Sequence, residues 1–165
     1  MNKHTGKQQK TIIILTIAAV LSVAVMFFAL FTPKTELGEF VPPQFDENAV
    51  LGAPNAEEGL GFCEVYKDNM PYRFFVCGKP RADSSELTVY FTNPKENNAW
   101  LKMRVYSEDG SLLAESGIIK QGEYIKSLVL NKPVEKGESI IYKIMGYEPE
   151  SYKSIGSVTL TSAIN

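Results

Sequence analysis

Residues 85–106 are SELTVYFTNPKENNAWLKMRVY, and this stretch decides the fold class. In both halves every second residue is apolar, which is the period of a β-strand that buries one face. The apolar phase consists of Leu87, Val89 and Phe91 in the first half and of Leu101, Met103 and Val105 in the second. Between the halves, Asn93-Pro94 is a turn signal. The stretch therefore predicts two strands separated by a turn, each with one apolar face.

Strand and turn signals continue on both sides of this stretch. Turn-forming pairs such as Asp109-Gly110, Gln121-Gly122 and Lys136-Gly137 separate short apolar segments, without a helical period between them. Strands are predicted near residues 62–66, 72–77, 85–92, 99–106, 111–116, 123–130, 138–146 and 156–162. Short strands at this spacing are typical of an antiparallel Ig-like β-sandwich, which is predicted over residues 62–165.

Residues 11–32, TIIILTIAAVLSVAVMFFALFT, contain no charge, no Pro and no Gly. As a helix this stretch is about 33 Å long, enough for a hydrocarbon core of about 30 Å. A cleaved signal peptide is the alternative. The apolar run is longer than the roughly 7–15 residues of a signal-peptide core, and no A-x-A cleavage site follows it. The sequence therefore predicts an uncleaved N-terminal transmembrane helix.

Charges on either side of this helix set its orientation. Lys3, Lys7 and Lys10 precede the helix, and Glu36 is the first acidic residue. Because basic residues stay on the cytoplasmic side, the N-terminus is predicted inside the cell membrane and the C-terminal domain outside. The predicted organisation is a cytoplasmic tail at 1–10, a single-pass helix at 11–32, an acidic Pro- and Gly-containing linker at 33–61 and a domain at 62–165.

The linker contains more apolar residues than a spacer requires. These residues are Phe40, Val41, Phe45, Val50 and Leu51. They either pack on the domain or dock onto a partner, and the sequence leaves both hypotheses open.

The two cysteines, Cys63 and Cys77, lie symmetrically about Met70. A hairpin that turns near Met70 would bring them opposite each other, and outside the cell they would meet an oxidising compartment. A structural disulfide is therefore predicted. Two reduced core cysteines are the alternative, followed by a redox or metal-binding pair.

The composition argues against an enzyme. His4 is the only histidine and lies in the predicted tail, so a Ser-His-Asp triad, a Cys-His pair and the usual zinc sites are missing from the domain. Phosphate-binding loops and nucleophile elbows are also missing. From Pro33 onward there are 14 Lys or Arg and 19 Asp or Glu, a net charge of −5 that disfavours nucleic acid. The sequence predicts no catalysis, no metal and no cofactor.

Aromatic residues on the strands are the strongest candidates for binding. Tyr and Trp anchor many protein interfaces, and they also stack on sugars. The predicted contact residues are Trp100, Tyr106, Tyr142 and Tyr147. The predicted function is a noncatalytic module that binds another envelope protein in an envelope, secretion or conjugation assembly. The alternative is a cell-wall carbohydrate-binding module, and an envelope hydrolase is a third hypothesis.

The segment VYFTNPKENNAWLKMRVYSEDGSLLAESGIIKQGEYIKSLVLNKPVEKGESIIYKIMGYEPES carries a resemblance. Its Asn-rich turn, Asp-Gly hairpin, Glu-Ser-Gly-Ile turn and Leu-to-Gly corner resemble small, N-terminally membrane-anchored β-sandwich proteins of Gram-positive Firmicutes. These features lie at 93–98, 109–110, 115–118 and 130–137. The resemblance implies an anchor, an acidic linker and an extracytoplasmic sandwich. It implies no catalytic residues and does not include the cysteine hairpin.

Overall fold

The structure, a computed structural model, describes residues 4–31, 40–66 and 69–165. The chain forms two compact units, Met1–Val41 and Pro42–Asn165. Among the described residues, the first unit holds one helix and the second holds the strands. The predicted mainly β class with one N-terminal helix is therefore confirmed. Residues 1–3 of the predicted tail and residues 32–39, which end the predicted span and begin the predicted linker, lie outside the described residues.

The helix of the first unit, α1, is His4–Phe31 and is 28 residues long. From Thr11 onward, no Pro or Gly interrupts it. Its large apolar side chains between Ile12 and Phe28 are 52–76% exposed. In the described part of the chain, no helix combines the length and the apolarity that crossing a membrane requires. The predicted helix is thus confirmed over residues 11–31, but its membrane crossing is not.

The described part of the second unit contains ten strands, and all eight predicted strands are among them. Two further strands of two residues each, β1 and β4, were not predicted. The strands are β1 (Val50–Leu51), β2 (Phe62–Val65), β3 (Phe74–Cys77), β4 (Arg81–Ala82), β5 (Glu86–Thr92), β6 (Trp100–Ser107), β7 (Leu112–Ile119), β8 (Glu123–Val129), β9 (Ser139–Tyr147) and β10 (Ser154–Ala163).

These strands make two antiparallel sheets. The large sheet has six strands in the order β1-β8-β5-β3-β2, with β4 paired to β5. The small sheet has four strands in the order β10-β9-β6-β7. Strands β5 and β6, which follow each other in the sequence, therefore belong to different sheets, and the turn between them crosses from one sheet to the other.

Both sheets contribute to one apolar core. Every second residue of β5 and of β6 faces this core, as the alternation predicted. The fully buried core residues include Leu87, Val89 and Phe91 from the large sheet and Leu101, Met103 and Val105 from the small sheet. On β5 the opposite phase is also buried, because Leu60 and Phe62 pack over Tyr90. The alternation indicates one apolar and one wetter face for β5, and the structure corrects this, since both faces are buried from Leu87 to Thr92.

Two buried amides hold the crossing turn. The Asn93 side chain donates hydrogen bonds to Ala99 O at 2.9 Å and to Ile119 O at 3.2 Å. It accepts one from the Asn97 amide at 2.7 Å, and Asn97 also bonds both backbone groups of Arg73. Because backbone that crosses a core needs partners for its polar groups, these side chains replace the pairing that a sheet would supply.

The folded unit begins well before residue 62, the predicted start of the domain. Strand β1 pairs with β8, and Leu60 is only 3% exposed. The Glu57 carboxylate lies 2.8 Å from Arg81 and 3.8 Å from Lys126. In the structure the second unit therefore begins at Pro42, because residues 42–61 form hydrogen bonds and ion pairs with the sheets.

The two cysteines do not form the predicted disulfide. In the β2–β3 hairpin, Phe62 is opposite Cys77 and Cys63 is opposite Val76. Adjacent residues of a strand face opposite sides of a sheet, so a register offset of one residue separates the two thiols. Cys63 is exposed and Cys77 is buried, and both are free. The hairpin is centred between residues 69 and 70 and not on Met70. This shift of half a residue places Cys63 and Cys77 on opposite faces of the sheet.

Candidate functional site

The candidate site is the outer face of the small sheet, which is the side directed away from the shared core. Along β6 and β9, half-buried residues alternate with fully buried ones, so one phase of each strand forms this face. Cross-strand pairs place the two sets side by side. The outer face consists of Trp100, Lys102, Arg104 and Tyr106 on β6 and Ile141, Lys143, Met145 and Tyr147 on β9.

Three of the four predicted contact residues lie on this face. Trp100 is directly opposite Tyr147 at one end, and Tyr106 is opposite Ile141 at the other. The prediction for Tyr142 was wrong. Its side chain is only 1% exposed, faces the core, and donates a hydrogen bond to Cys77 O at 3.4 Å. Burial also raises its pKa.

An aromatic cluster surrounds Trp100. The Phe45 ring lies 4.9 Å from the Trp100 ring at an angle of 78°, and the Tyr152 ring lies 5.3 Å away at 66°. With Tyr147, these residues are called the aromatic cluster below. Edge-to-face contacts fix the rings relative to one another. They leave a ridged apolar surface instead of a flat platform.

A short segment within the predicted linker, residues 44–46, positions Phe45. Phe45 forms a parallel bridge with Ile118 on β7. The Ile118 N–H donates to Gln44 O at 2.8 Å, and the Asp46 N–H donates to Ile118 O at 2.9 Å. The Gly117 N–H donates to the Asp46 carboxylate at 2.8 Å. The hypothesis that Phe45 packs on the domain is thus confirmed.

Gly117 allows this segment to approach closely. A Cβ atom at residue 117 would lie 2.5 Å from the backbone nitrogen of Asp46, which is closer than any real contact. Only glycine fits at this point of β7. The sequence contains the glycine, but nothing near it indicates that residue 46 is its neighbour.

A cationic strip crosses the middle of the outer face. The Glu115 carboxylate lies 3.2 Å from Lys102 and also binds Arg104. Burial works against ionisation of Glu115, but hydrogen bonds from Arg104 and Lys102 outweigh it and lower the pKa. The same contact raises the pKa of Arg104. Lys143 lies directly opposite Arg104, so this strip has three cations for one carboxylate.

A further cation joins the aromatic cluster. The Lys120 ammonium lies 4.4 Å from the centre of the Phe45 ring. Cations attract the face of an aromatic ring, so this contact steadies both side chains. The strip was not predicted, although the alternation of Lys102 and Arg104 with apolar residues is a sequence signal that places both on one face. Lys120 and Phe45 meet only through the fold.

Metal-binding side chains and clefts are the other features of residues 40–66 and 69–165 that could carry chemistry. No group of three metal-binding side chains occurs within the described residues. A cleft of about 520 Å³ beside the large sheet is lined by Leu51, Phe75, Thr92, Pro94 and Gly122, among others. Its charged residues are Lys95 and Glu96, which neighbour each other in sequence. Such a lining suits an apolar group better than acid–base chemistry.

The aromatic cluster and the cationic strip can therefore act together as a contact surface. Comparison with protein-family models, curated proteins and solved structures gives no match for this chain. The resemblance to small anchored proteins of Gram-positive Firmicutes stays a prediction. Any function must be inferred from the surface itself.

Proposed function

We propose that the chain is a noncatalytic, membrane-anchored, extracytoplasmic interaction module. Its partner is another envelope protein in an envelope, secretion or conjugation assembly. The observation that carries this proposal is the aromatic cluster around Trp100, which lies beside the cationic strip on one half-exposed sheet face.

The residue types on this face support a protein partner. Protein interfaces are enriched in Trp, Tyr, Met and Arg, and their energetic centres are aromatic or Arg side chains in packed surroundings. Trp100, Tyr147 and Met145 supply the apolar part, and Arg104 supplies directed hydrogen bonds. The edge-to-face rings hold their shape before binding, which lowers the entropic cost of association.

The membrane part of the proposal is supported by residues 11–32. They form one uncharged apolar stretch, and the large apolar side chains between Ile12 and Phe28 are exposed. Exposed apolar surface of this extent favours a lipid environment. Anchoring would raise the effective concentration of the module near partners in the same envelope.

Cys63 provides a test of this placement, because its side chain is exposed. In intact cells, a membrane-impermeant maleimide should label Cys63, and the full chain should remain in the membrane pellet after alkaline carbonate extraction. Cys63→Ser is the labelling control. Labelling only after cell lysis, or release into the carbonate supernatant, would contradict the placement.

We also infer that the two sheets form an Ig-like sandwich. Support comes from the shared apolar core and from the β5–β6 crossing between sheets. An experimental structure with strands of the two sheets near right angles would contradict this arrangement.

The binding proposal is tested by crosslinking in intact cells, affinity capture and mass spectrometry. The full chain is compared with Trp100→Ala, and with Tyr66→Ala as a control at an exposed tyrosine that directly follows β2. We expect Trp100→Ala to lower recovery of a specific protein about tenfold or more. Circular dichroism verifies that the variant is folded. Equal recovery with a folded Trp100→Ala chain would exclude this surface.

Binding of cell-wall carbohydrate is the second candidate, at a different place. The rings of Phe62 and Phe75, on the outer side of the large sheet, are inclined by only 26° with centres 5.6 Å apart. Nearly parallel rings suit stacking on sugars better than the ridged aromatic cluster does. Retention of the full chain on purified wall polysaccharide that is lost in Phe75→Ala would favour this function, and absence of retention would exclude it.

A further inference from the structure

The open side of strand β10 distinguishes it from the other sheet edges. Strand β10 is ten residues long and ends the small sheet, and no described strand pairs with its far side. Its sequence, SIGSVTLTSA, has no charge and no Pro. A bulge lies only at its start, between Ser154 and Gly156. Such an edge presents unpaired backbone groups to solvent, and proteins usually protect against this.

The other edges of the two sheets are short, charged or covered. On β7, the Asn131 N–H donates to Leu113 O at 2.7 Å, and residues 44–46 bind at Ile118. Strand β1 has two residues. Strand β2 has four, and its Glu64 pairs with Arg73 at 3.2 Å. Features that prevent pairing are thus present at each of these edges, whereas residues 157–161 in the middle of β10 lack them.

The open backbone groups of β10 can be identified from the ladder. The Ile164 N–H donates to Glu138 O at 2.9 Å, on the side of β9. Along an antiparallel strand, the backbone N–H and C=O groups of successive residues point to alternate sides, so every second residue counted from Ile164 points to β9. The backbone groups of the residues between them, Ser157, Thr159 and Thr161, point away from β9. Beyond them, the Asn165 N–H donates to Pro80 O at 2.8 Å and closes the edge. The open stretch is therefore centred on Thr159.

Side chains on the core side of β10 are only partly covered. Ile155, Val158 and Leu160 pack against the core but stay half-buried, whereas the corresponding residues of β9 are fully buried. The difference arises because β9 has a strand on both sides and β10 has one. A strand added at β10 would cover this apolar surface as well as its backbone groups.

We propose that β10 pairs antiparallel with β10 of a second copy of this chain, about a two-fold axis at Thr159. A strand without charge meets no repulsion from its own copy. This register places Val158 opposite Leu160 on the core side and Ser157 opposite Thr161 on the outer side. Apolar residues meet apolar ones, hydroxyls meet hydroxyls, and the contact is isologous.

Pairing would join two small sheets into one continuous sheet. The outer faces of the two copies would then be neighbours, since Thr159 lies opposite Lys143. This inference does not depend on the proposed envelope partner, and failure of either proposal leaves the other standing.

Cysteine crosslinking of the full chain in membranes or detergent tests the register. In a Cys63→Ser background, Thr159→Cys should give a disulfide-linked dimer on oxidation, because the residue on the axis meets its own copy. Ser157→Cys and Thr161→Cys should each fail alone, as about four residues, or about 13 Å, separate the copies. A mixture of the two variants should give the dimer.

A second measurement removes the pairing. Sedimentation of the full chain in detergent measures the dissociation constant of the dimer. For Thr159→Lys/Thr161→Lys this constant should be at least about tenfold higher than for wild type, because lysines on an edge oppose pairing. Val129→Lys, at a 70% exposed strand residue, is the control. Self-pairing would be overturned by a dimer whose dissociation constant is unchanged by the β10 lysines, by a monomer at all concentrations, or by a Thr159→Cys adduct with a different protein.

Discussion

At the scale of single residues, buried polar side chains hold the places where strands leave a sheet. Asn93 is 0% exposed and makes five hydrogen bonds to the turn and the neighbouring strands, three through its side chain and two through its backbone. A buried amide with full hydrogen bonding is stabilising. Removing it leaves its buried partners without hydrogen bonds, which costs free energy.

Replacing Asn93 tests this role. Asn93→Ala should lower the free energy of unfolding by about 2–4 kcal/mol, because it leaves buried carbonyl and amide groups without partners. Urea unfolding followed by the fluorescence of Trp100, the one tryptophan, measures the change. Asn98→Ala, at an exposed position of the same turn, is the control and should change stability by less than about 0.5 kcal/mol. Equal effects of both substitutions would contradict the interpretation.

Burial of a thiol gives the stability a dependence on alkaline pH. Burial, with smaller contributions from Cys63 and Glu57, raises the pKa of Cys77 to about 11 from 9.0. Between these values the folded chain holds a proton that the unfolded chain has released, so stability is complete below pH 9 and declines as the pH rises towards 11. Burial also raises the pKa of Tyr72 to about 12, which continues the decline.

The free energy of unfolding, measured by urea titration at pH 8.0, 9.5 and 10.5, should therefore fall stepwise. In Cys77→Ala the fall over this range should be smaller, and Cys63→Ser should keep most of it. A stability that rises with pH, or a Cys77→Ala chain with an unchanged slope, would argue against a buried neutral thiol.

At the scale of elements, register decides which side chains meet. The β2–β3 hairpin pairs residues whose numbers sum to an odd value, such as Phe62 and Cys77. Cys63 and Cys77, an even number of positions apart, cannot then be opposite each other. Strand β9 shows the same rule, because Tyr142 and Tyr147 are five positions apart and face opposite sides.

Thiol titration tests the hairpin register. The native chain should have one rapidly reacting thiol, Cys63, and a second, Cys77, that reacts only on unfolding. In contrast, Phe62→Cys in a Cys63→Ser background should form a disulfide with Cys77, because these residues are directly opposite. A wild-type chain without titratable thiols would show that the predicted disulfide exists after all.

The edge of β7 depends on a single glycine. Gly117→Ala would bring a Cβ atom within 2.5 Å of Asp46 and should displace residues 44–46. We expect a loss of about 1–3 kcal/mol in stability and a red-shifted Trp100 emission, because Phe45 leaves the indole ring. Phe45→Ala should reproduce the spectral shift, and Val50→Ala in the same segment should not. An unshifted Gly117→Ala spectrum would mean that the segment tolerates the methyl group.

At the scale of the whole molecule, the folded unit is longer than the predicted domain. Residues 42–61 were predicted to form a linker, yet they pair with β7 and β8 and cover β5. Their Pro, Gly and carboxylates are typical of linkers. The contacts that order them are distant in sequence, since the Gly117 N–H that donates to the Asp46 carboxylate lies 71 positions away.

Limited digestion with a glutamate-specific protease tests this boundary. Glu47, Glu57 and Glu58 should resist cleavage in the native chain, because the segment is bound to the sheets. Mass spectrometry should therefore detect a stable fragment that begins before Pro42. A first stable product beginning at Gly59 would restore the predicted boundary. Denatured chain, cut at all three sites, is the control.

The sequence alone determined the mainly β class, all eight principal strands, the N-terminal helix and the apolar phase of β5 and β6. These features depend on local periodicity and turn chemistry, which a few neighbouring residues contain. Tertiary structure decided the sheet to which each strand belongs, the half-residue offset that separates Cys63 from Cys77, and the packing of Phe45 on Trp100. Those outcomes depend on contacts between residues far apart in the chain, where one step of register reverses a face and local patterns contain no record of the partner.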